Sequence, residues 1–184
     1  MEAHAVVSQK EVITMSIEQT EFRNALSHFA SGVTIITTQH QNQFHGTTVS
    51  SFCSLSLNPP LVLVGIDRNA NIHDLVVASE VFAVNILAEH AEQLSRHFAQ
   101  HIPDKFLHIA HRSGTLGVPL LDDALATLEC RLVAQYPGGD HSIFVGEVVT
   151  TSSHSEQQPL LYFRSKYGRL TNDVARLIPH VVGE

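Results

Sequence analysis

The stretch Ala126–Ser153, ATLECRLVAQYPGGDHSIFVGEVVTTSS, decides how the chain folds. Two aliphatic and β-branched runs flank Gly138-Gly139, and small residues free to adopt positive φ between such runs are a strong hairpin signal. The same pattern recurs upstream. "VTIITT" at 33–38 is β-branched, "HQNQ" at 40–43 is a polar turn, and "FHGTTVSSF" at 44–52 is the returning arm. Gly46 weakens an ordinary strand interior, so it predicts a bulge or a close backbone approach. Pro59 and Pro60 interrupt pairing, because neither can donate to a ladder. After them "LVLVGI" at 61–66 reads as a strand buried on both faces, and "VFAVNIL" at 81–87 and "PLLYFRSKYGRL" at 159–170 read as further strands. Hairpins rather than regular crossover helices join these runs. The expected class is therefore an antiparallel barrel with helices packed outside, not a doubly wound sheet.

Helical spacing marks three segments. Ser16-Ile17-Glu18-Gln19 fits a capping box, followed by Phe22, Leu26, Phe29 and Ala30 on one apolar face and a stop at Gly32. Asn69–Ser79 predicts a second helix, capped by Asn69 or Asn71, with Ile72, Leu75 and Val76 on one side. Residues 89–98 predict a third, with Ala91, Leu94 and Phe98 facing inward. Residues 100–122, containing Pro103, Gly114, Gly117 and Pro119, read as irregular, and a loop of that length is often functional or at an interface. Residues 1–15 show no period and are expected to form a flexible lead-in to a single domain over 16–184.

Bulk properties narrow the function. The 184 residues, 43% hydrophobic and 16% charged, suit one folded domain with a sizeable core. A net charge of -7, with only 11 scattered basic residues, argues against a nucleic-acid partner. No apolar run approaches the roughly 20 residues that span a bilayer, and the start lacks a signal-type apolar core. A cytoplasmic location without membrane attachment is expected. Cys53 and Cys130 form no CxxC pair and read as plain thiols.

Dinucleotide and P-loop glycine fingerprints are missing, as is a GxSxG elbow. Among 13 histidines, His97, His101, His108 and His111 cluster, yet no HExxH or nearby Cys completes a metal set, so no metal is expected. In GTTVSSF, hydroxyls meet backbone N–H groups that can form an anion-binding concavity. Taken alone, it reads rather as Thr and Ser on a half-exposed strand.

In order, FRNALSHFASGVTIITT, GTTVSSFCSLSLNPPLVLVGI, FAVNILA, GDHSIFVGEV and PLLYFRSKYGRL resemble the flavin reductase-like family over about residues 21–170. The resemblance implies a mainly β, six-stranded antiparallel split β-barrel of Greek-key, FMN-binding type with peripheral α-helices. It also implies a homodimer that passes hydride from NADH or NADPH to FMN or FAD, the reduced flavin going to a partner flavin-dependent monooxygenase. A non-catalytic flavin-binding barrel is the alternative.

By the family pattern, Thr47, Thr48, Val49, Ser50, Ser51 and Phe52 contact the ring and ribityl-phosphate chain, and Ser54, Leu55 and Ser56 continue that wall. The Arg68-Asn69-Ala70-Asn71 turn leads into a helix whose N-terminus favours the phosphate. Phe98 and Ala99 fall where members approach the flavin, with Phe98 equally readable as core. His141 of GDH is expected beside the flavin and nicotinamide rings as the catalytic residue, its alternative being a turn histidine. Tyr167, with Tyr162 and Arg164, is expected to border the site.

Overall fold

The computed structural model describes residues 17–154 and 156–170. The chain runs α1 (Gln19–Ser27), β1 (Ser31–Gly32), β2 (Thr34–His40), β3 (Gln43–Val49), β4 (Phe52–Leu57), β5 (Pro60–Asp67), α2 (His73–Ser79), β6 (Val81–Leu87), α3 (Glu92–Phe98), β7 (His111–Ser113), β8 (Pro119–Leu121), β9 (Ala124–Gly138), β10 (His141–Ser153), β11 (Leu161–Phe163) and β12 (Lys166–Gly168). The fold is mainly β, and every strand pair is antiparallel. No helix among the described residues is long and apolar enough to cross a membrane.

The main sheet has the order β3-β2-β6-β9-β10-β5-β4. Its two outer strands are consecutive in the chain, joined only through Ser50 and Ser51, so the strip curls until its edges meet. Ser51 is already tied to β5, its carbonyl accepting from Gly65 N at 2.8 Å and its hydroxyl donating to Gly65 O at 2.8 Å. Counted as one bent strand, β3 and β4 reconcile the seven segments with the six-stranded barrel.

Turn chemistry sets the registers. Gly139 takes φ +75° at the first position of the two-residue β9–β10 turn, as a type II′ hairpin requires. Gln41 and Asn42 (φ 50° and 60°) turn β2 into β3, and Arg164 and Ser165 (φ 49° and 59°) turn β11 into β12. The expected single strand at 159–170 is thus a small hairpin. Asn58 and Pro59, joined by a cis peptide, link β4 to β5, and Pro60 sits in register with Leu57. The prolines make this turn rather than end the pairing.

Two larger cores and a small one around Ala83, Val118 and Leu120 pack on the sheet. Ile36, Val62, Val64, Ile66, Phe82, Val84 and Phe144 fill the barrel, closed by Val76 of α2 and by Ile72 at its N-cap. Val33, Ile35, Leu87, Phe98, Leu121 and Leu160 pack outside it beneath α3. The doubly buried strand is therefore β2, whose Ile35 and Ile36 enter different cores. In β5 burial alternates, with Leu61, Leu63 and Gly65 only half-buried, and none of the described helices packs closely on β5.

Other boundaries shift. α1 stops at Ser27, before Gly32, because Ser27 Oγ and the His28 ring bond Asn24 O at 2.7 and 2.8 Å and satisfy its last turn. Its N-cap position is Glu18, and Ser16 lies outside the described residues, as does the lead-in. Its apolar residues are not packed: Phe22, Leu26 and Phe29 are 50%, 56% and 78% exposed. α2 begins at His73, so neither Asn69 nor Asn71 caps it. The supposedly irregular 100–122 contains the β7–β8 hairpin, folded against the buried Glu129 carboxylate, which accepts from Thr115 N and Leu116 N at 3.0 and 2.7 Å.

Candidate functional site

Beside the barrel lies a cavity of about 600 Å³, walled by the start of β3, the 70–72 turn with Leu75, and the segment 99–107. That volume lies within the usual range for small-molecule sites. Two rings face it, Phe44 and Phe106, edge to face at 5.6 Å. His111 braces both from behind at 5.1 Å, its Nδ1–H donating to Ile109 O at 2.6 Å.

The cavity also holds a cation. Lys105 Nζ donates to Phe98 O at 2.7 Å and Gly46 O at 3.2 Å, while His97 Nε2 donates to Lys105 O at 2.7 Å. No carboxylate among the described residues forms an ion pair with Lys105. Burial lowers its pKa, as expected of an ammonium shielded from water without a counter-charge. His45, on the same wall, is lowered by burial and then by His40. A half-buried ammonium lining the same cavity as two phenyl rings suits an aromatic ligand carrying an anion.

The β9–β10 turn forms a second cluster. His141 Nδ1 lies 2.8 Å from Asp140 Oδ1, and the His141 side chain is 42% exposed. The hydrogen bond to His141, reinforced by its charge, holds the Asp140 carboxyl below the usual range. His141 faces Asp67 across the ladder, and Arg68 N donates to Asp140 O at 3.0 Å. Asp67 Oδ1 in turn accepts from Asn69 N at 2.8 Å. The turn that leaves this cluster is the one whose Ala70, Asn71 and Ile72 line the cavity.

Residues 26–171 match the family described as "Flavin reductase like domain". The chain belongs to the flavin reductase-like family. It is 39% identical over 159 residues to the reductase component of 4-nitrophenol 4-monooxygenase/4-nitrocatechol 2-monooxygenase from Rhodococcus opacus, covering 86% of this chain and 85% of that one. It is 40% identical over 149 residues to the reductase component of 4-hydroxyphenylacetate 3-monooxygenase from Thermus thermophilus, covering 81% and 95%. Among solved structures, the NADH:FAD oxidoreductase of Streptomyces globisporus C-1027, in complex with NAD and FAD fragments, superposes with a TM-score of 0.82. It is 35% identical, over 85% of this chain and 95% of that one.

In this flavin reductase-like chain the residues expected at the site are divided. Thr47, Ala70, Asn71 and Ala99 line the cavity. Phe98 does not: it is fully buried and supports the wall from behind, 5.2 Å from the Phe106 ring. Val49 is core as well. Thr48 gives its hydroxyl to Ser95 O at 2.6 Å, and Tyr167 O–H meets Ser95 Oγ at 2.9 Å with Arg96 stacked on its ring, so both fasten α3. Ser50, Ser51, Ser54 and Leu55 are exposed, Ser56 and Phe52 half-buried, along the seam and the β4 edge. Arg68 and Asn69 belong to the His141 cluster. The α2 helix that follows has seven residues, and His73 N bonds Ala70 O at 2.9 Å.

Sequence reasoning missed Phe44, His45, Lys105 and Phe106. The available signal was length: a long connection carrying a lone Lys beside Phe, in "PDKF", is where ligand contacts concentrate.

Proposed function

We infer that the protein is a NAD(P)H-dependent flavin reductase that supplies reduced flavin to a partner monooxygenase, with FMN or FAD as acceptor and NADH as donor. Family membership and the names of the relatives support the reaction. One structural observation carries the site: Lys105, a half-buried cation that forms no ion pair with a carboxylate among the described residues, lines the same cavity as Phe44 and Phe106.

The residues fit a flavin nucleotide. Thr47, Ala70, Asn71 and Ala99 would hold it beside the two rings, and Lys105 would compensate its phosphate charge. When bound, flavin supplies the two-electron acceptor that no side chain here provides. The chain's own work is placement. His141, oriented by Asp140, would guide the nicotinamide from the half-exposed end of β10, and ordered approach of two reactants can remove several kcal/mol of barrier.

A homodimer completes this reading. The exposed Phe22 and Leu26 of α1 and Phe29 just after it, with Leu55 and the 94%-exposed Leu57 of β4, form apolar surface that a second copy would cover. Full burial of each such side chain contributes roughly 1.5–3 kcal/mol. Sedimentation of the purified chain tests the dimer; a monomer at micromolar concentration removes it.

Oxidation of NADH and NADPH with FMN and FAD, followed at the nicotinamide absorbance, tests the activity. Turnover dependent on added flavin is the expected result. Flavin binding without NAD(P)H oxidation would leave a binding protein only.

A further inference from the structure

His73 has no place in the site described above, yet it is a buried imidazole with both nitrogens engaged. As the first residue of α2 it is 8% exposed. Its Nδ1 lies 2.7 Å from Asp74 Oδ1 and its Nε2 lies 2.9 Å from Ser142 Oγ. The Phe144 ring packs edge-on at 5.2 Å. Ser142 is 1% exposed and also accepts from Gln135 Nε2 at 3.2 Å.

The directions follow from what each group can do. An amide NH₂ only donates and an ionised carboxylate only accepts, so Gln135 donates to Ser142 and His73 Nδ1–H donates to Asp74. Nε2 is left as acceptor for the Ser142 hydroxyl. The result is a one-way relay, Gln135 to Ser142 to His73 to Asp74, anchored on a strand at one end and a helix at the other.

Its location gives it a use. Ser142 immediately follows His141 on β10, and successive strand side chains point to opposite faces. Holding Ser142 from inside therefore fixes the position from which His141 projects outside. His73 follows Asn71 and Ile72, which line the cavity. The junction is also tied by the Asp67–His141 ladder pair, the Arg68 N to Asp140 O bond and the packing of Ile72 with Phe144 in one core. The His73–Ser142 bond is the side-chain hydrogen bond across it among the described residues.

We propose that His73 is a positioning residue: its imidazole brackets the cavity wall to the His141 strand and sets the spacing between nicotinamide-guiding and flavin-holding parts of the site. This rests on the flavin reductase reading above. A side chain that merely filled the space would leave the Ser142 hydroxyl without this acceptor and remove the side-chain hydrogen bond that joins α2 to β10.

The test compares His73→Leu, His73→Gln and Ser142→Ala with wild type. Gln places an amide oxygen where Nε2 stood and retains the acceptor. Kinetics are read at saturating NADH with FAD varied, as kcat and flavin KM, and the ring resonance of His141 is followed in ¹³C-histidine-labelled protein. Expected are a roughly tenfold fall in kcat for His73→Leu, since small misplacements carry large rate penalties, with flavin KM changed less than about threefold. His73→Gln should recover most of the loss, and the His141 signal should move in Leu and return in Gln. Ser142→Ala cuts the same bond with little change of volume and stands in if the Leu variant does not fold. Lower thermal stability with wild-type kcat and an unmoved His141 signal would overturn the proposal. Should wild type fail to reduce flavin at all, the functional reading falls, and the His141 resonance alone still decides whether His73 positions it.

Discussion

Phe98 presses its ring against the backbone of Gly46, so closely that a Cβ there would stand 2.6 Å from Cε1 and 2.8 Å from Cδ1. The close approach that a glycine inside a strand implies is thus real, and the β2–β3 register passes it without a bulge. Phe98 is fully buried and cannot swing away. Gly46→Ala should destabilise the protein by about 1–3 kcal/mol, measured by thermal unfolding, and Gly46→Ala with Phe98→Leu should recover part of the loss. An unchanged melting temperature in the single variant would contradict the contact.

Lys105→Met should weaken FMN binding about tenfold or more while leaving riboflavin, which lacks the phosphate, little changed. Hydrogen bonds to charged groups contribute roughly 1.5–3 kcal/mol. Burial lowers the Lys105 pKa, so its charge is present below that pKa and is lost as pH rises through it, earlier than for an ordinary lysine. FMN affinity should therefore decline on the alkaline side before the usual lysine range. Lys105→Arg should abolish that decline, because a guanidinium stays charged. Fluorescence titration across pH reads both effects.

His141→Ala should slow single-turnover flavin reduction by about ten- to a hundredfold, with flavin affinity held within a factor of about three. Asp140→Asn should fall between that variant and wild type. The carboxylate of Asp140 is held below its usual range by the His141 bond, so it stays ionised above that lowered pKa and is protonated only as pH falls through it. The rate of wild type should be insensitive to Asp140 down to that point. Stopped-flow rates indistinguishable from wild type in His141→Ala would leave it a turn residue.

The two thiols should behave oppositely. Cys53 is exposed on β4, whereas Cys130 is buried and its pKa is pushed up to about 12 by burial and the neighbouring Glu129 charge. Only the thiolate reacts. A colorimetric disulfide reagent at pH 8 should modify one thiol per native chain and two after denaturation. Two fast thiols in the native protein would contradict the burial of Cys130.

The hairpin frame was legible because turn chemistry is local. Gly138-Gly139 and the polar 40–43 turn mark registers within a few residues, and 81–87 read as a strand matches β6. The site was less so, for reasons visible in particular side chains. Thr48 and Ser51, which suggest ligand contacts by composition, spend their hydroxyls on Ser95 O and Gly65 O. Lys105 gains its meaning only when β3 and α3 deliver the carbonyls of Gly46 and Phe98 to one point, 59 and 7 residues away. The apolar stripe of α1 pointed to burial that the single chain does not provide, because periodicity tells which face is apolar but not what covers it.

The passage from β3 to β4 through Ser50 and Ser51 makes the first and last staves of the main sheet a single piece of chain. Such a hoop cannot be loosened at one rim alone: any slippage against β2 is handed on to the contact with β5. A nick between these two serines would turn the hoop into a ribbon with two loose ends. The short polar run there is thus the clasp on which the shape of the whole vessel depends.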